Sequence, residues 1–254
     1  MTRPLRHAPG LVGQAELLRA PLKAQPKAVF VVNPQAGDGP GKFVRLLERR
    51  LPPAALRYDV AMTTAAGDGE RIAANAAAAG YDIVVAVGGD GTVNEVARGL
   101  LRDPRAALAI IPTGSGNGAA RHLGIPLGVS GALKVLNRPT ATRIDVGLIN
   151  GHPFLCTAGL GFDAHVSKHF ARSKTRGMAT YARIALQEYS GFRSKPIRLH
   201  LDGQGIDHDC YVLAFANAAQ YGNNVFIAPL ADVADGLLDL CLIEDMPIRR
   251  ALRV

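Results

Sequence analysis

Short apolar runs alternate with amphipathic stretches through the first half of the chain, and glycine crowds the junctions between them. Lys27–Asn33, Arg57–Met62, Ile83–Val87 and Leu108–Ile111 read as strands. Ile83–Val87 is continuously β-branched or small and apolar, as in a parallel strand covered on both faces by helices. Helical patterns follow over Lys42–Leu51, Glu70–Gly80, from Thr92 onward, and briefly over Ala119–Leu123, where Gly124 is placed to act as an αL cap. Such alternation predicts a parallel sheet, with ligands expected outside the carboxyl ends of its strands. After residue 140 the pattern changes: Arg143–Ile149, Pro153–Ala158, Ile197–Asp202, Cys210–Ala216 and Leu237–Ile243 read as strands around one long helical stretch, Ala164–Tyr189. Asn150-Gly151 and Asp202-Gly203 are hairpin signals, so this half is expected to be an antiparallel β domain, with a two-substrate cleft between the halves.

The most informative junction is Gly88-Gly89-Asp90-Gly91-Thr92-Val93-Asn94-Glu95. Its glycines are expected to permit positive φ or close approach of a ligand to the backbone. Thr92 is placed to cap the following helix, with Glu95 completing a capping box. Free N–H groups at a helix start favour an anion, so the Asp90 carboxylate among them calls for a magnesium ion or a hydroxyl proton as its partner. The alternative is an ordinary strand-to-helix turn with Asp90 in solvent. Two further turns, Pro34–Gly39 and Pro112–Gly118, give three glycine turns along one sheet edge. Gly37-Asp38-Gly39-Pro40-Gly41-Lys42-Phe43 superficially matches a P-loop, but Ala36 stands where a glycine is needed and Phe43 where a Ser or Thr is needed. A Walker-type NTPase is thereby excluded, while backbone capture of phosphate stays open.

Composition narrows the partners. The 254 residues are 48% hydrophobic, enough for a packed core, and carry a net charge of +8, which favours an anionic partner: nucleotide, acidic membrane surface or nucleic acid. Aromatics at 6% with no Trp supply few stacking platforms, so nucleic acid ranks last. Cys156, Cys210 and Cys241 are widely spaced, with no zinc or disulfide pattern, and fit a reducing compartment. His165 and His169 would share a helix face, but no third ligand is evident, and packing or solvated histidines are the favoured reading. No run reaches the roughly 20 apolar residues of a membrane span. Residues 1–26, with Arg3, Arg6, Arg19, Lys23 and several prolines around a short helical stretch Gln14–Ala20, read as a loosely ordered basic extension.

Five motifs in order resemble the diacylglycerol kinase catalytic family, which includes bacterial diacylglycerol kinases and sphingosine kinase-like lipid kinases. They are Asn33–Gly37, Gly88–Glu95, Pro112–Asn117, Gly159-Leu160-Gly161-Phe162-Asp163-Ala164 and Asp235-Gly236-Leu237-Leu238-Asp239. The resemblance implies an α/β fold: a Rossmann-like nucleotide-binding domain with a parallel sheet over 27–140, and a mainly antiparallel β-sandwich lipid domain over 141–254. It implies ATP and Mg2+ as cofactors. Nucleotide contact falls to Asn33, Pro34, Gln35, Ala36, Gly37, Thr63, Gly88, Gly89, Gly91, Thr92, Asn94, Glu95, Gly114, Ser115 and Asn117. Asp90 and Asp163 are the implied catalytic residues, and Asp235 with the carbonyls of Asp232 and Leu237 the implied magnesium site. For Asp163 the plain alternative is a helix N-cap, and for Asp235 an Asp-Gly turn. The implied activity is ATP-dependent phosphorylation of a diacylglycerol- or sphingoid-type hydroxyl in phospholipid metabolism. It would take place in the cytoplasm at the inner membrane face, in a homodimer; the helical stretch carrying Lys168, Arg172, Lys174, Arg176 and Arg183 reads as holding the enzyme against anionic lipid, with a solvated basic helix as the alternative. Gly118 stands where many bacterial diacylglycerol kinases have Asp, which favours the sphingosine kinase-like branch. The family pattern continues past a helix at Met246–Arg253 with further strands and an Asp-Gly-Glu segment, so the second domain is expected to be incomplete. The competing readings are an NAD kinase-like enzyme with a soluble acceptor, which would share only the Asp90 turn, and a nucleotide- or lipid-binding protein without catalysis.

Overall fold

Ile83–Gly88 is buried along its whole length, and the first half of the protein is built around it. The computed structural model describes residues 20–21, 25–37, 39–51, 56–137, 139–173, 175, 177–201 and 203–244. The chain divides into two compact units between Arg143 and Ile144. Most of the expected basic extension, Lys174, Arg176 and the expected helix at Met246–Arg253 lie outside the described residues.

The elements of the first unit are β1 (Ala20–Pro21), β2 (Lys27–Val32), α1 (Pro40–Arg50), β3 (Arg57–Met62), α2 (Asp68–Ala78), β4 (Ile83–Gly88), α3 (Asp90–Leu100), β5 (Ala107–Pro112), α4 (Gly118–His122), α5 (Val129–Val135) and β6 (Thr140–Ala141). Four strands form one parallel sheet in the order β3-β2-β4-β5. Side chains alternate across it. Phe30, Val32, Ile83, Val85 and Val87 pack with Phe43 and Leu47 of α1 and Ala132 and Leu133 of α5. Val84 and Ala86, equally inaccessible, face the opposite layer, α2 and α3. Within the expected extension, Ala20 is extended rather than helical, because Ala20–Pro21 pairs antiparallel with Thr140–Ala141.

The alanines of α2 let α3 come close. A Cβ on Gly99 would overlap the Glu70 carbonyl oxygen and lie 2.8 Å from the Ala73 Cβ. The expected capping box at Thr92 and Glu95 does not form. Gly89 is the N-cap of α3, without a side-chain cap bond. Glu95 instead accepts hydrogen bonds from Gly67 N and Gly69 N, both at 3.0 Å, at the start of α2. Its carboxylate thus satisfies the open N–H groups of the neighbouring helix, where the helix dipole also favours it.

The second unit contains β7 (Gly147–Ile149), β8 (His152–Phe154), β9 (Thr157–Gly161), α6 (Phe162–Arg172), α7 (Met178–Tyr189), β10 (Lys195–Leu201), β11 (Gln204–Cys210), β12 (Val212–Ala216), β13 (Gln220–Gly222), β14 (Val225–Phe226) and β15 (Asp239–Ile243). Every pairing described here is antiparallel, with β12 central between β9 and β15. Several details differ from the sequence reading, among them the strand expected over Arg143–Ile149, which is confined to Gly147–Ile149. The long helix is two helices, parted near Gly177 at φ +103, a conformation glycine tolerates best. The expected strand Pro153–Ala158 is shared between β8 and β9. The polar strand β11 was not anticipated; it is specified by pairing with β10, including Arg198–Asp207 hydrogen bonds of 2.7 and 2.8 Å. Phe162, Phe192 and Tyr211 cluster with ring centroids 5.1–5.4 Å apart and seat α6 against β12. Among the described residues no helix is long and apolar enough to cross a membrane.

Gly99→Ala tests the α2–α3 approach by the sign of its effect. In an open helix the change would stabilise by about 1 kcal/mol. Here overpacking is expected to lower stability by about 1–3 kcal/mol in urea unfolding, and a gain would contradict the packing.

Candidate active site

Neighbouring parallel strands bring all three glycine turns to one edge of the first unit. Asn33 leaves β2 with its N–H donating to Val87 O at 3.0 Å, and Thr113 leaves β5 with its N–H donating to Gly88 O at 2.9 Å. Asn33 links two turns through its side chain: Oδ1 accepts from Gln35 N at 2.9 Å, and Nδ2 donates to Thr92 Oγ1 at 3.3 Å. Gly37 has φ +71, and a Cβ there would lie 3.1 Å from the Thr113 Cβ, so the first turn also meets the third. Pro34, Gln35, Gly37 and Ser115 are exposed, while Ala36 is half-buried. Thr63 follows β3 and donates its N–H to Val32 O at 2.9 Å, adding an adjacent strand end.

The positive φ expected at Gly88, Gly89 and Gly91 does not occur, and Gly114 is not among the positive-φ residues either. Gly88 leaves room for the Thr92 side chain. Gly89 and Gly114 press together so closely that a Cβ on Gly114 would overlap the Gly89 Cα. Asn117 fixes the third turn from an αL conformation, φ 51, by accepting from Gly114 N at 3.0 Å and donating to Gly114 O at 2.8 Å. The Thr113 hydroxyl is buried without a hydrogen-bond partner.

Asp90 opens α3 and is half-buried, not a solvated turn residue. Its Oδ1 accepts from Ala119 N at 3.4 Å, at the start of α4. Burial raises its pKa, and the N–H groups of Ala119, Gly118 and Asn117 oppose that rise without cancelling it. A Cβ on Gly116 would lie 3.0 Å from Asp90 Oδ2. Gly91 is exposed and Asn94 half-buried beside it on α3, whereas Glu95 is engaged with α2.

The second unit holds the other expected residues. Asp163 lies in the first turn of α6; Oδ1 accepts from Ala164 N at 2.7 Å and Oδ2 from the Tyr221 hydroxyl at 3.0 Å. The cap position itself is Gly161, so the N-cap alternative for Asp163 does not hold. Burial raises the Asp163 pKa, and the same cause, reinforced by the Asp163 charge, pushes the Tyr221 phenol far upward. Gly159 and Gly161 admit β12: a Cβ on either would overlap a carbonyl oxygen, of Leu213 or Tyr211.

Asp232 and Asp235 are exposed and each accepts a backbone bond two residues ahead, from Ala234 N and Leu237 N, both at 3.0 Å. This is the Asx-turn geometry of the plain alternative. Asp145, 5% exposed, anchors that loop: Oδ2 accepts from Gly236 N at 2.7 Å, and its N–H donates to Val233 O at 2.6 Å. Asn217 Nδ2 in turn donates to the carbonyls of Asp145 and Leu155, at 2.9 and 2.8 Å. The sequence reading missed Asp145, Asn217, Tyr221 and Thr113. A lone acid between Ile144 and Val146 was a usable signal for the first, while Tyr221 is 58 residues from Asp163 and gave none.

A parallel sheet with phosphate-sized turns at one edge, joined in sequence to antiparallel sheets, defines a class. Residues 27–149 match the diacylglycerol kinase catalytic domain, and residues 156–254 match the YegS C-terminal NAD kinase beta sandwich-like domain. The chain belongs to the diacylglycerol kinase catalytic family of lipid kinases. Within it, the chain is similar to proteins named "probable lipid kinase YegS-like". It is 36% identical over 188 residues to the one from Pseudomonas putida, covering 73% of this chain and 63% of the relative. It is 33% identical over 215 residues to the one from Chromohalobacter salexigens, covering 83% and 69%. A crystal structure described as a diacylglycerol kinase from Bacillus anthracis strain Sterne superposes with a TM-score of 0.69 at 26% identity, over 88% of this chain and 74% of that one. The chain thus spans under two thirds of the Pseudomonas putida relative.

The Tyr221 hydroxyl favours the charged form of Asp163, so Tyr221→Phe is expected to raise the Asp163 pKa further above its ordinary 3.8. Carboxyl carbon NMR titration reads the change; an unchanged or lowered value would show that the bond does not act on this carboxylate. Because folding raises this pKa, the buried charge opposes stability at neutral pH. That penalty is relieved as pH falls through the folded pKa toward 3.8.

Proposed function

We propose that the chain is the nucleotide- and lipid-handling part of an ATP- and Mg2+-dependent kinase that phosphorylates a lipid hydroxyl. The observation that carries the proposal is the meeting of the Asn33, Gly88 and Thr113 turns at adjacent strand ends, beside a desolvated Asp90. The residues fit a nucleotide phosphate on two counts. Thr113 keeps a buried hydroxyl without a partner, and the Gly89–Gly114 contact makes a backbone floor that any side chain would fill.

When bound, ATP with its magnesium ion supplies the phosphoryl group and neutralises its charge. The chain supplies position and field. Backbone N–H groups of the turns and of the α3 N-terminus face developing negative charge, and they need no reorganisation to do so. Asn33 and Asn117 fix the loops in which those groups sit. Asp90, made more basic by burial, holds or accepts the proton of the acceptor hydroxyl. Asp163 is the second carboxylate of the proposal, positioned by Tyr221. Asp145 and Asn217 shape the 232–237 loop, whose carbonyls and the Asp235 carboxylate are the proposed structural magnesium ligands. Exposed Lys168, Arg172 and Arg183 suit an anionic lipid surface. The acceptor is proposed as a diacylglycerol-type lipid, after the name of the Bacillus anthracis structure, or as a sphingoid-type lipid, on the Gly118 departure from the diacylglycerol kinase pattern.

Two measurements test this. Adding MgATP is expected to shift amide resonances of 33–37, 88–94 and 113–117; nucleotide binding that leaves these turns undisturbed would refute the site. Labelled phosphate from ATP is expected to appear in diacylglycerol, a sphingoid base or phosphatidylglycerol, and Asp90→Asn should slow transfer by about 10²–10⁴-fold. Labelling of NAD in the absence of lipid would instead favour a soluble acceptor. Nucleotide binding without turnover, unchanged by Asp90→Asn, would favour a binding protein.

A further inference from the structure

The two histidines four residues apart on α6 acquire a partner that their own stretch of sequence does not show. Helix α7 folds back antiparallel on α6, with the Phe170 ring 5.6 Å from Tyr181 and the Phe162 ring 6.1 Å from Tyr189. That register delivers Glu188 to the pair. His165 Nε2 lies 2.7 Å from Glu188 Oε2, and His169 Nδ1 lies 3.9 Å from Glu188 Oε1. One donor atom from each of the three side chains falls within 4.8 Å of the others. The His165 ring is held in place by Phe192 at 5.4 Å and by the His169 ring at 4.6 Å. Side-chain exposures of 35%, 41% and 33% leave the group reachable from solvent.

From this geometry we infer that His165, His169 and Glu188 form a binding site for a borderline transition-metal ion of the Zn2+ class, clipping α6 to α7. Two imidazoles and a carboxylate are a donor set for Zn2+, Co2+ or Ni2+, not for Mg2+ or Ca2+, which take oxygen. Zinc bonds of about 2.0–2.1 Å need donor atoms about 3.3 Å apart in a tetrahedron, so the short His165–Glu188 contact opens slightly and the longer separations close. The ion takes the place of the hydrogen between His165 Nε2 and Glu188, with neutral His165 keeping its one proton on Nδ1 and presenting the Nε2 lone pair. Water takes the fourth position on the exposed side. Since α6 also carries Asp163 in its first turn, the clip fixes the helix that presents this carboxylate. The site is independent of the proposed phosphoryl transfer, and its test requires no kinase activity.

The test is a zinc competition titration against a chromophoric chelator, with the full chain free of any histidine tag and stripped of metal. One Zn2+ per chain is expected to bind, and His169→Ala and Glu188→Gln should each weaken it by about tenfold or more. All three side chains are a third or more exposed, so these variants are expected to fold, which far-UV circular dichroism checks. Co2+ should give a tetrahedral visible spectrum, and the His165 and His169 ring resonances should shift together on zinc addition. A roughly hundredfold excess of Mg2+ should not displace the zinc. No stoichiometric binding, or equal binding by wild type and both variants, would overturn the site and would assign any residual zinc to other side chains.

Discussion

The close passage of the turns after β4 and β5 governs the first unit. Two backbones meet at Gly89 and Gly114 with no side chain between them. Parallel strands run about 4.8 Å apart, so loops leaving adjacent ends must either diverge or touch. Here they touch, and the consequences follow in order. Asn117 is drawn into an αL turn that clamps Gly114, α4 begins beside Asp90, and its first N–H groups point at that carboxylate. Burial then raises the basicity of Asp90 while the N–H groups restrain it. Glu95, one turn further along α3, holds the start of α2 and keeps the helix layer in register with the edge.

The second unit uses the same device on a different scaffold. Gly159 and Gly161 let β9 lie against the β12 backbone, which sets the start of α6 and with it Asp163. Buried polar groups do the rest. Asp145 and Asn217 satisfy backbone groups of the 233–236 and 155 segments that would otherwise be costly to bury, and they thereby give an exposed loop one conformation. Asp232 and Asp235 each give one oxygen to a local turn.

Membership in the lipid kinase family rests on two matched domains, and the similarity in fold to the Bacillus anthracis enzyme survives at 26% identity. The fold tolerates such divergence because its demands are local: small residues where backbones touch, apolar residues where strands are covered, and polar side chains able to tie loops. In the α6–α7 hairpin two histidines and a glutamate lie beside the aromatic contacts that join the helices.

Local sequence determined the strands β2 to β5, the helices α1 to α4 and the three glycine turns. Apolar continuity, helical periodicity and glycine act over a few residues, so they are legible without knowing the neighbours. The same locality explains the misreadings. Thr92 and Glu95 spell a capping box, yet the Glu95 carboxylate goes to α2, because the Gly99 gap brings that helix within reach. Gly88 and Gly89 look like positive-φ residues, yet they are small because Thr92 and Gly114 press on them. β11 is too polar to read alone and exists because β10 pairs with it. Tertiary structure alone decided that Tyr221 reaches Asp163, that Asp145 anchors the 236 turn and that Glu188 completes a set with His165 and His169. Each of those contacts joins residues 19 to 91 positions apart, a separation that only the path of the folded chain can close.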